Sequence, residues 1–439
     1  MKKILIIIFL LYATNIFAEK PLLNIQHWDL KNKTRVFFIH RTELPILDCK
    51  LVFSAGSVRD ENQEGLATLT NSMLNEGAKN LSSNQIAQLF ETNGAEFNLF
   101  VDRDMAGMTL RTLVDPKYLN PVLKNVEDII TSPTFPESEL NRLKQQVIAQ
   151  IKSEQQNPSQ LASNQFYLLL YPQNAYAHNP LGDIASVNQI KQSQLMEFYK
   201  KYYTGANANL ILVGDISESK AKAIAEEIAG NLPEGSAASK LPLAKNQLEM
   251  VHKEIDFPSS QSTLIIGQVG ITRENPDYFP LILGNEVLGG LPLSSILYDE
   301  VREKRGLAYS IGSAFNPWQY RGPFMIYLQT KSSTVSVADN LAMQILKNFI
   351  QNGPTEAQLV AAKKNMIAAL PLALSSNSGI LATMTNIAFY HRPLDFIDSY
   401  QKNVEAVTQD EVKNAFQKNV DVNRLVTVIV GSSETERQQ

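Results

Sequence analysis

The 439-residue sequence predicts an α+β protein made of two homologous halves, each a mixed sheet with helices packed on one face, joined by a linker. Three observations predict it. First, short patterns return in the same order at nearly one offset, close to half the length of the chain. Gly56-Ser-Val-Arg59-Asp-Glu-Asn62 returns as Gly270-Ile-Thr-Arg273-Glu-Asn275. Leu140 followed by Val147-Ile148-Ala149 returns as Leu359 followed by Met366-Ile367-Ala368, and Val213-Gly214 returns as Val430-Gly431. Second, residues 232–242 are rich in Pro, Gly, Ser and Ala and carry no apolar period, which is linker composition. Third, both halves run from strand-like segments through amphipathic helices to a closing β run that ends in glycine.

Taken in order, residues 1–18 read as a secretory signal: Lys2 and Lys3, an apolar run over 4–12, and Ile16 and Ala18 at the −3 and −1 cleavage positions. Cleavage after Ala18 would remove both lysines and move the formal charge from −4 to −6, and export by this signal is expected to place the chain in the periplasm. An oxidising space leaves the single cysteine, Cys49, without an internal disulfide partner, and Leu47 and Leu51 around it mark a core position on a strand. The first domain is expected over 19–231, with strands at 35–39 and 46–54. A helix over 62–75 places Leu66, Leu69, Met73 and Leu74 on one face. A second helix over 137–156 does the same with Leu140, Leu143, Val147, Ile148 and Ile151, and the stretch 155–160 that follows reads as a helix end and loop. The returning strand lies at 209–213. After a linker over 232–246, the second domain (247–439) repeats the order with a strand at 262–269, a helix at 278–288 and a closing strand at 424–430.

Composition narrows the function. With 40 Lys+Arg against 44 Asp+Glu and a pI near 5.9, the chain has no basic field for a nucleic-acid backbone or an anionic membrane surface. No stretch approaches the ~20 consecutive apolar residues of a spanning helix. The histidines, His27, His40, His178, His252 and His391, are too widely spaced for any pair to project from one helical turn as zinc ligands do. A Gly-x-Ser-x-Gly elbow, a phosphate-binding glycine loop and a Cys-His motif are also absent. Trp28 and Trp318 read as core and interface residues.

The run Gly56-Ser-Val-Arg59 through Gly65-Leu66-Ala67-x4-Ser72-Met73-Leu74-Asn-Glu76-Gly77 resembles the active-site segment of the pitrilysin/insulinase family of zinc metallopeptidases. Leu297-Tyr298-Asp-Glu-Val-Arg302-Glu-Lys-Arg-Gly306-Leu307-Ala308-Tyr309-Ser310 resembles that family's C-terminal Arg/Tyr motif, and with the duplicated halves the resemblance covers essentially the whole mature chain. In the family the inverted motif H-x-x-E-H follows the Gly-Leu-Ala directly. Here those positions hold Thr68, Asn71 where the general base stands, and Ser72. The distal Glu ligand is matched by Gln150, or by Glu154 if the alignment slips by one turn. Neutral oxygen ligands in place of two imidazoles and a carboxylate remove nearly all driving force for Zn²⁺, and Asn71 has no basic form.

The resemblance therefore implies a non-catalytic member of a two-subunit peptidase, with a clam-like chamber formed between halves. The chain itself holds no cofactor, and a zinc-bearing homologous partner in a heterodimer supplies metal and base to a peptide substrate. Arg302 and Tyr309 survive and would orient and polarise the scissile carbonyl, with Gly306 ending the helix between them; packing and a salt bridge are the other account of the pair. Gly289 and Gly290 match the family's second-half glycine turn and would admit a substrate backbone, or else cap a helix. Two further alternatives stay open: a clam that binds peptides without cutting them, and an envelope scaffold like the family's core subunits in respiratory complexes.

Overall fold

The computed structural model describes residues 21–245, 247 and 249–432; the predicted signal segment 1–18 and residue 246 of the expected linker lie outside them. The first half comprises β1 (Gln26–Asp29), β2 (Arg35–His40), β3 (Ile46–Phe53), α1 (Leu66–Ser72), a small hairpin of β4 (Gly77–Ala78) and β5 (Leu81–Ser82), and α2 (Ser83–Thr92). It continues through β6 (Glu96–Val101), β7 (Ala106–Leu113), α3 (Pro116–Thr131), α4 (Glu137–Glu154), α5 (Pro158–Leu170), α6 (Ile184–Gln189), α7 (Gln192–Tyr202), β8 (Ala208–Gly214) and α8 (Glu218–Ala229). The second half comprises β9 (Val251–Asp256), β10 (Gln261–Val269), α9 (Tyr278–Asn285), β11 (Ser310–Phe315), β12 (Pro323–Lys331), α10 (Val335–Asn352), α11 (Glu356–Ala373), α12 (Asn377–Phe389), α13 (Phe396–Ala406), α14 (Gln409–Asn419) and β13 (Val426–Gly431).

The duplication read from short motifs is a duplication of topology. The first sheet has the order β1-β2-β8-β3-β7-β6 and the second β11-β12-β10-β13-β9. With β1 set aside, the two correspond strand for strand. Each has one parallel pair, β2 with β8 and β9 with β13, formed where the closing strand returns beside the first. All other neighbours in both sheets are antiparallel. Both sheets are mixed and carry a helical layer, as the sequence predicts.

The second face of each sheet is where the structure goes beyond that prediction. On one face of the first sheet, Val36, Phe38, Leu47, Cys49, Leu51, Phe53, Leu210 and Leu212 form the core with α1, α3 and α4. The other face carries Phe37, Ile39, Val52, Ile211 and Val213, and it is covered by Ile380, Leu381, Met384 and Ile387 of α12, a helix from the other half. The exchange is reciprocal: Ala162, Phe166 and Leu170 of α5 cover Ile265, Val269, Val426, Val428 and Val430 on the second sheet. Every residue of β8 is buried, as expected for a strand covered on both sides. Gly267 makes the α5 crossing possible, because a Cβ there would lie 2.8 Å from Cζ of Phe166. Each fully buried Phe or Leu of these crossing helices contributes about 1.5–3 kcal/mol, so the halves are joined mainly by the two exchanged helices.

The segment between the halves is irregular but tied down. Ser239 O accepts from Arg59 Nη1 at 2.7 Å, and the Leu241 amide donates to the Tyr320 hydroxyl at 2.6 Å. Of the 155–160 stretch, expected as a helix end and loop, only 155–157 connect two helices; Asn157 caps α5 and residues 158–160 already form its first turn, opened by Pro158. Cys49 is a fully buried residue of β3, and burial pushes its thiol far above the ordinary range. No single helix among the described residues is long and apolar enough to cross a membrane; α11 and α12 meet that test only jointly, across a 112° bend, and α12 is spent on the first sheet.

Candidate functional site

Helix α1 starts at Leu66, later than the periodicity predicts, because Gly65 stands in the left-handed region at φ 92°, which a side chain rarely adopts. A Cβ on it would also lie 2.6 Å from Leu181 O. The free amides at this helix start are taken by Asp60, whose carboxylate accepts from Gly65 N at 2.8 Å and Ala67 N at 2.7 Å. Asp60 also meets His178 Nε2 at 3.1 Å. Burial pushes the Asp60 carboxyl up, and the His178 contact and the two amides oppose that rise. Sequence reasoning left both residues without a role. The signal available was an Asp a few residues ahead of an apolar helix start, while His178 was not legible as its partner across 118 residues.

Two of the four positions of the lost metal site, Thr68 and Asn71, have been put to other uses. Thr68 donates its hydroxyl proton to Pro180 O at 2.6 Å. Asn71 is 1% exposed, donates through Nδ2 to Phe100 O at 3.0 Å and Gly107 O at 3.2 Å, and accepts from the Tyr203 hydroxyl at 2.9 Å. Ser72 is half-buried at the end of α1, and Gln150 is exposed on α4. Glu154, the alternative ligand, accepts from Asn179 Nδ2 at 2.7 Å. Two hydroxyls and two amides do not fit zinc, which takes imidazole, thiolate or carboxylate ligands, and among the described residues no group of three or more His, Cys, Asp or Glu is placed to hold a metal.

The second-half motif is arranged differently. Arg302 lies in a wide helical turn, Tyr298–Glu303, exposed, with its guanidinium over the Tyr298 ring at 5.0 Å. Gly306 at φ 60° ends this turn, as expected, its amide donating to Arg302 O at 2.9 Å. Tyr309 stands immediately before β11, held by its amide on Gln329 O at 2.8 Å, with its side chain 49% exposed. Among the described residues no hydrogen bond or ion pair occupies either side chain. The helix expected over 278–288 is α9 followed by a second wide turn, Glu286–Gly290. Gly289 there is buried, and a Cβ would stand 2.6 Å from Ser313 N of β11, while Gly290 lies beside Asn285 and Glu286. The backbone that Gly289 admits is therefore the protein's own edge strand.

Comparison with known proteins bears on this arrangement. Residues 35–184 match the family model Insulinase (Peptidase family M16), and residues 189–366 match Peptidase M16 inactive domain. The crystal structure of a peptidase M16 inactive domain from Pseudomonas fluorescens superposes with a TM-score of 0.89 at 38% identity, covering 94% of this chain and 99% of that one. The chain belongs to the M16 peptidase family. A curated M16 relative, the non-peptidase homolog YmxG of Helicobacter pylori, is 26% identical over 440 residues, all of both chains. Complex III2 from Candida albicans contains a chain of the same fold, with a TM-score of 0.76 at 17% identity over 94% of this chain and 98% of that one. This chain is a non-catalytic M16 protein, in which the positions of the inverted zinc motif carry Thr68, Asn71 and Ser72.

Between the halves of this M16 chain, the turn joining β6 to β7 forms a polar junction that the sequence did not signal. Asp104 there is 2% exposed and accepts from the Tyr176 hydroxyl at 2.6 Å, Gln319 N at 2.7 Å and the Tyr390 hydroxyl at 3.2 Å. Beside it Arg103 stacks on Tyr167 at 3.9 Å and Trp318 at 5.4 Å, which places Trp318 in the interface, as its composition suggested. Asp102 accepts two backbone amides of the same turn, yet burial pushes its carboxyl up to about 6. A carboxyl raised in the folded state contributes most below its unfolded pKa, and that contribution is lost as pH rises through about 6. Asp102→Asn keeps an acceptor for both amides and removes the charge. Because Asp102 itself is exposed, solvent screens much of this effect, and the variant should be more stable than the parent at pH 8 by about 1 kcal/mol or less, with the difference vanishing near pH 4. Urea unfolding at the two pH values measures this, and an equal difference at both would overturn the assignment.

Proposed function

We propose that this protein is the substrate-binding subunit of a heterodimeric, periplasmic zinc peptidase, paired with a zinc-bearing M16 homologue and lending that partner its Arg302 and Tyr309. The observation that carries the proposal is the contrast between the two motifs. The metal-site side chains Thr68 and Asn71 are consumed by internal hydrogen bonds, while Arg302, in the turn Tyr298–Glu303, and Tyr309, immediately before β11, stay open to solvent. A phenol and a guanidinium so placed donate to a peptide carbonyl and stabilise the oxyanion that develops on it, while metal and base come from the partner. β11, which follows Tyr309, is an edge strand of its sheet; the turn carrying Gly289 and Gly290 covers it at Ser313, and an extended peptide would add to the rest of that edge by main-chain hydrogen bonds. The charged, apolar and small residues of 1–18 support export. Occurrence of the fold within complex III2 supports assembly with other chains.

The test is to measure bound zinc and peptide hydrolysis for the purified mature chain alone and after mixing with a zinc-bearing M16 homologue from the same cell. The expected result is neither zinc nor cleavage alone, with chelator-sensitive cleavage appearing or rising in the mixture. Absence of cleavage in every mixture would leave a peptide-binding or scaffold protein of the envelope, and stoichiometric zinc with cleavage by the lone chain would refute the proposal outright. Within the active mixture, Tyr309→Phe should lower turnover about 10²-fold, the scale of one oxyanion donor, without changing assembly by size-exclusion chromatography. Unchanged turnover would reject the catalytic role of Tyr309.

A further inference from the structure

Away from both motifs, α9, α11, α12 and α13 line an open cleft of about 320 Å³, with Ala369 and Ala373 exposed at its mouth. It shares Arg273, Tyr278 and Asn386 with a second cavity of about 540 Å³ that lies between the halves. Its sides are apolar, formed by residues such as Met366, Leu370 and Ile387, with the Tyr400 ring among them. Two guanidinium groups line it. Arg392 is stacked over Phe396 at 4.2 Å and Tyr278 at 4.6 Å, and its Nε and Nη2 are buried without a hydrogen-bond partner. Arg273 lies over the Tyr390 ring at 3.9 Å with its Nε likewise unpartnered. Among the described residues neither forms an ion pair; Asp104 contributes its field to Arg273, but its oxygens are taken by Tyr176, Gln319 and Tyr390.

The internal duplication sharpens the point. Arg59, the first-half counterpart of Arg273, places Nη1 on Ser239 O and Nη2 on Ser54 Oγ. Arg273 has the Tyr390 side chain as its hydrogen-bond partner where Arg59 has two oxygen acceptors from separate segments, while Nε is unpartnered in both. Two Arg392 donors left without acceptors beside an apolar cleft call for an anion with a hydrophobic body, and the planar fork of Arg matches a carboxylate. The cleft offers few polar groups to a peptide backbone: Asn386 Nδ2 donates to Ala382 O and the Thr383 hydroxyl to Gly379 O, both of α12.

We propose that this cavity binds an amphipathic monocarboxylate, an unbranched acyl chain whose carboxylate is received by Arg392 and Arg273. The proposal is independent of the peptidase subunit role and of Arg302 and Tyr309. Isothermal titration of the full mature chain with sodium decanoate and with decanol tests it. Saturable binding of decanoate is expected, with decanol at least about tenfold weaker. Arg392→Met should weaken decanoate about tenfold or more, and Ala369→Trp, which keeps both arginines and fills the cavity, should do the same. No saturable binding, equal binding of the alcohol, or indifference to both variants would overturn the proposal. So would a peptide ending in a free leucine carboxylate that binds this site more tightly than decanoate.

Discussion

Asn71→Glu, the change that would return a general base to the family's position, is expected to destabilise the protein by roughly 3–5 kcal/mol. Asn71 is sealed beneath α1, its amide nitrogen between Phe100 O of β6 and Gly107 O of β7, its oxygen on the hydroxyl of the fully buried Tyr203. A glutamate there has no donor for either carbonyl, so two buried acceptors lose their partner at about 1–3 kcal/mol each. The carboxylate would also face carbonyl oxygens in a place without water, and the added methylene must enter a packed core. Urea unfolding measures the loss, and a change under about 1 kcal/mol would show that Asn71 is not a structural element. Thr68→His and Ser72→His, at half-buried positions of α1, should cost far less. The metal ligands were thus replaced by residues of little consequence to folding, whereas the base was replaced by one on which the fold now relies. Reinstating the base would require repacking the ends of β6 and β7 beneath the helix.

Asp104→Ala is expected to cost about 3–5 kcal/mol and to loosen the halves from one another. One carboxylate gathers the hydroxyls of Tyr176 and Tyr390 and the amide of Gln319, drawn from three separate segments, and Gln319 and Tyr390 both belong to the second half. Truncation leaves two phenols and one backbone N–H without their acceptor and Arg273 without its neighbouring charge. The exchanged helices α5 and α12 hold the halves by apolar burial regardless. Separation should therefore show as faster proteolysis between 231 and 250 and a larger radius of gyration in X-ray scattering, not as loss of the fold. Asp104→Asn, which keeps an acceptor oxygen, should fall between parent and Ala variant. An Ala variant with the parent's radius and proteolysis rate would mean that the exchanged helices alone set the position of the halves.

Much of this protein was legible in its residues. A nearly constant offset between matching motifs exposed the duplication because the motifs concerned, Gly56 to Arg59 and Val213-Gly214, sit at strand ends where backbone geometry restricts the choice of residue. Period-two and period-3.6 patterns placed β3, β8, β10 and α4 closely, since burial on a regular element imposes its period on the sequence. The departure from H-x-x-E-H at Thr68, Asn71 and Ser72 settled the loss of zinc ligands from side-chain chemistry alone, with no need for distances. Gly306 foretold the break before Tyr309 for a similar local reason, a φ that favours glycine.

Contacts between residues far apart in the chain had no such signal. A strand covered on both faces and a strand covered on one can share an apolar run, so Ile211 and Val213 announced burial without naming α12 as its cause. Asp60 with His178 and Asp104 with Tyr390 pair across 118 and 286 residues, and a polar side chain carries no mark of a partner that only the fold brings near. Gly289 looked like a passage for substrate and is a close contact with β11, a distinction that depends on which backbone arrives there. Residue chemistry and local backbone restriction decided the duplicated α+β architecture and the retirement of the metal site. Long-range packing alone decided the exchange of α5 and α12, the burial of Asn71 as a structural link, and the cavity lined by Arg273 and Arg392, because each depends on which surfaces meet once both sheets have formed.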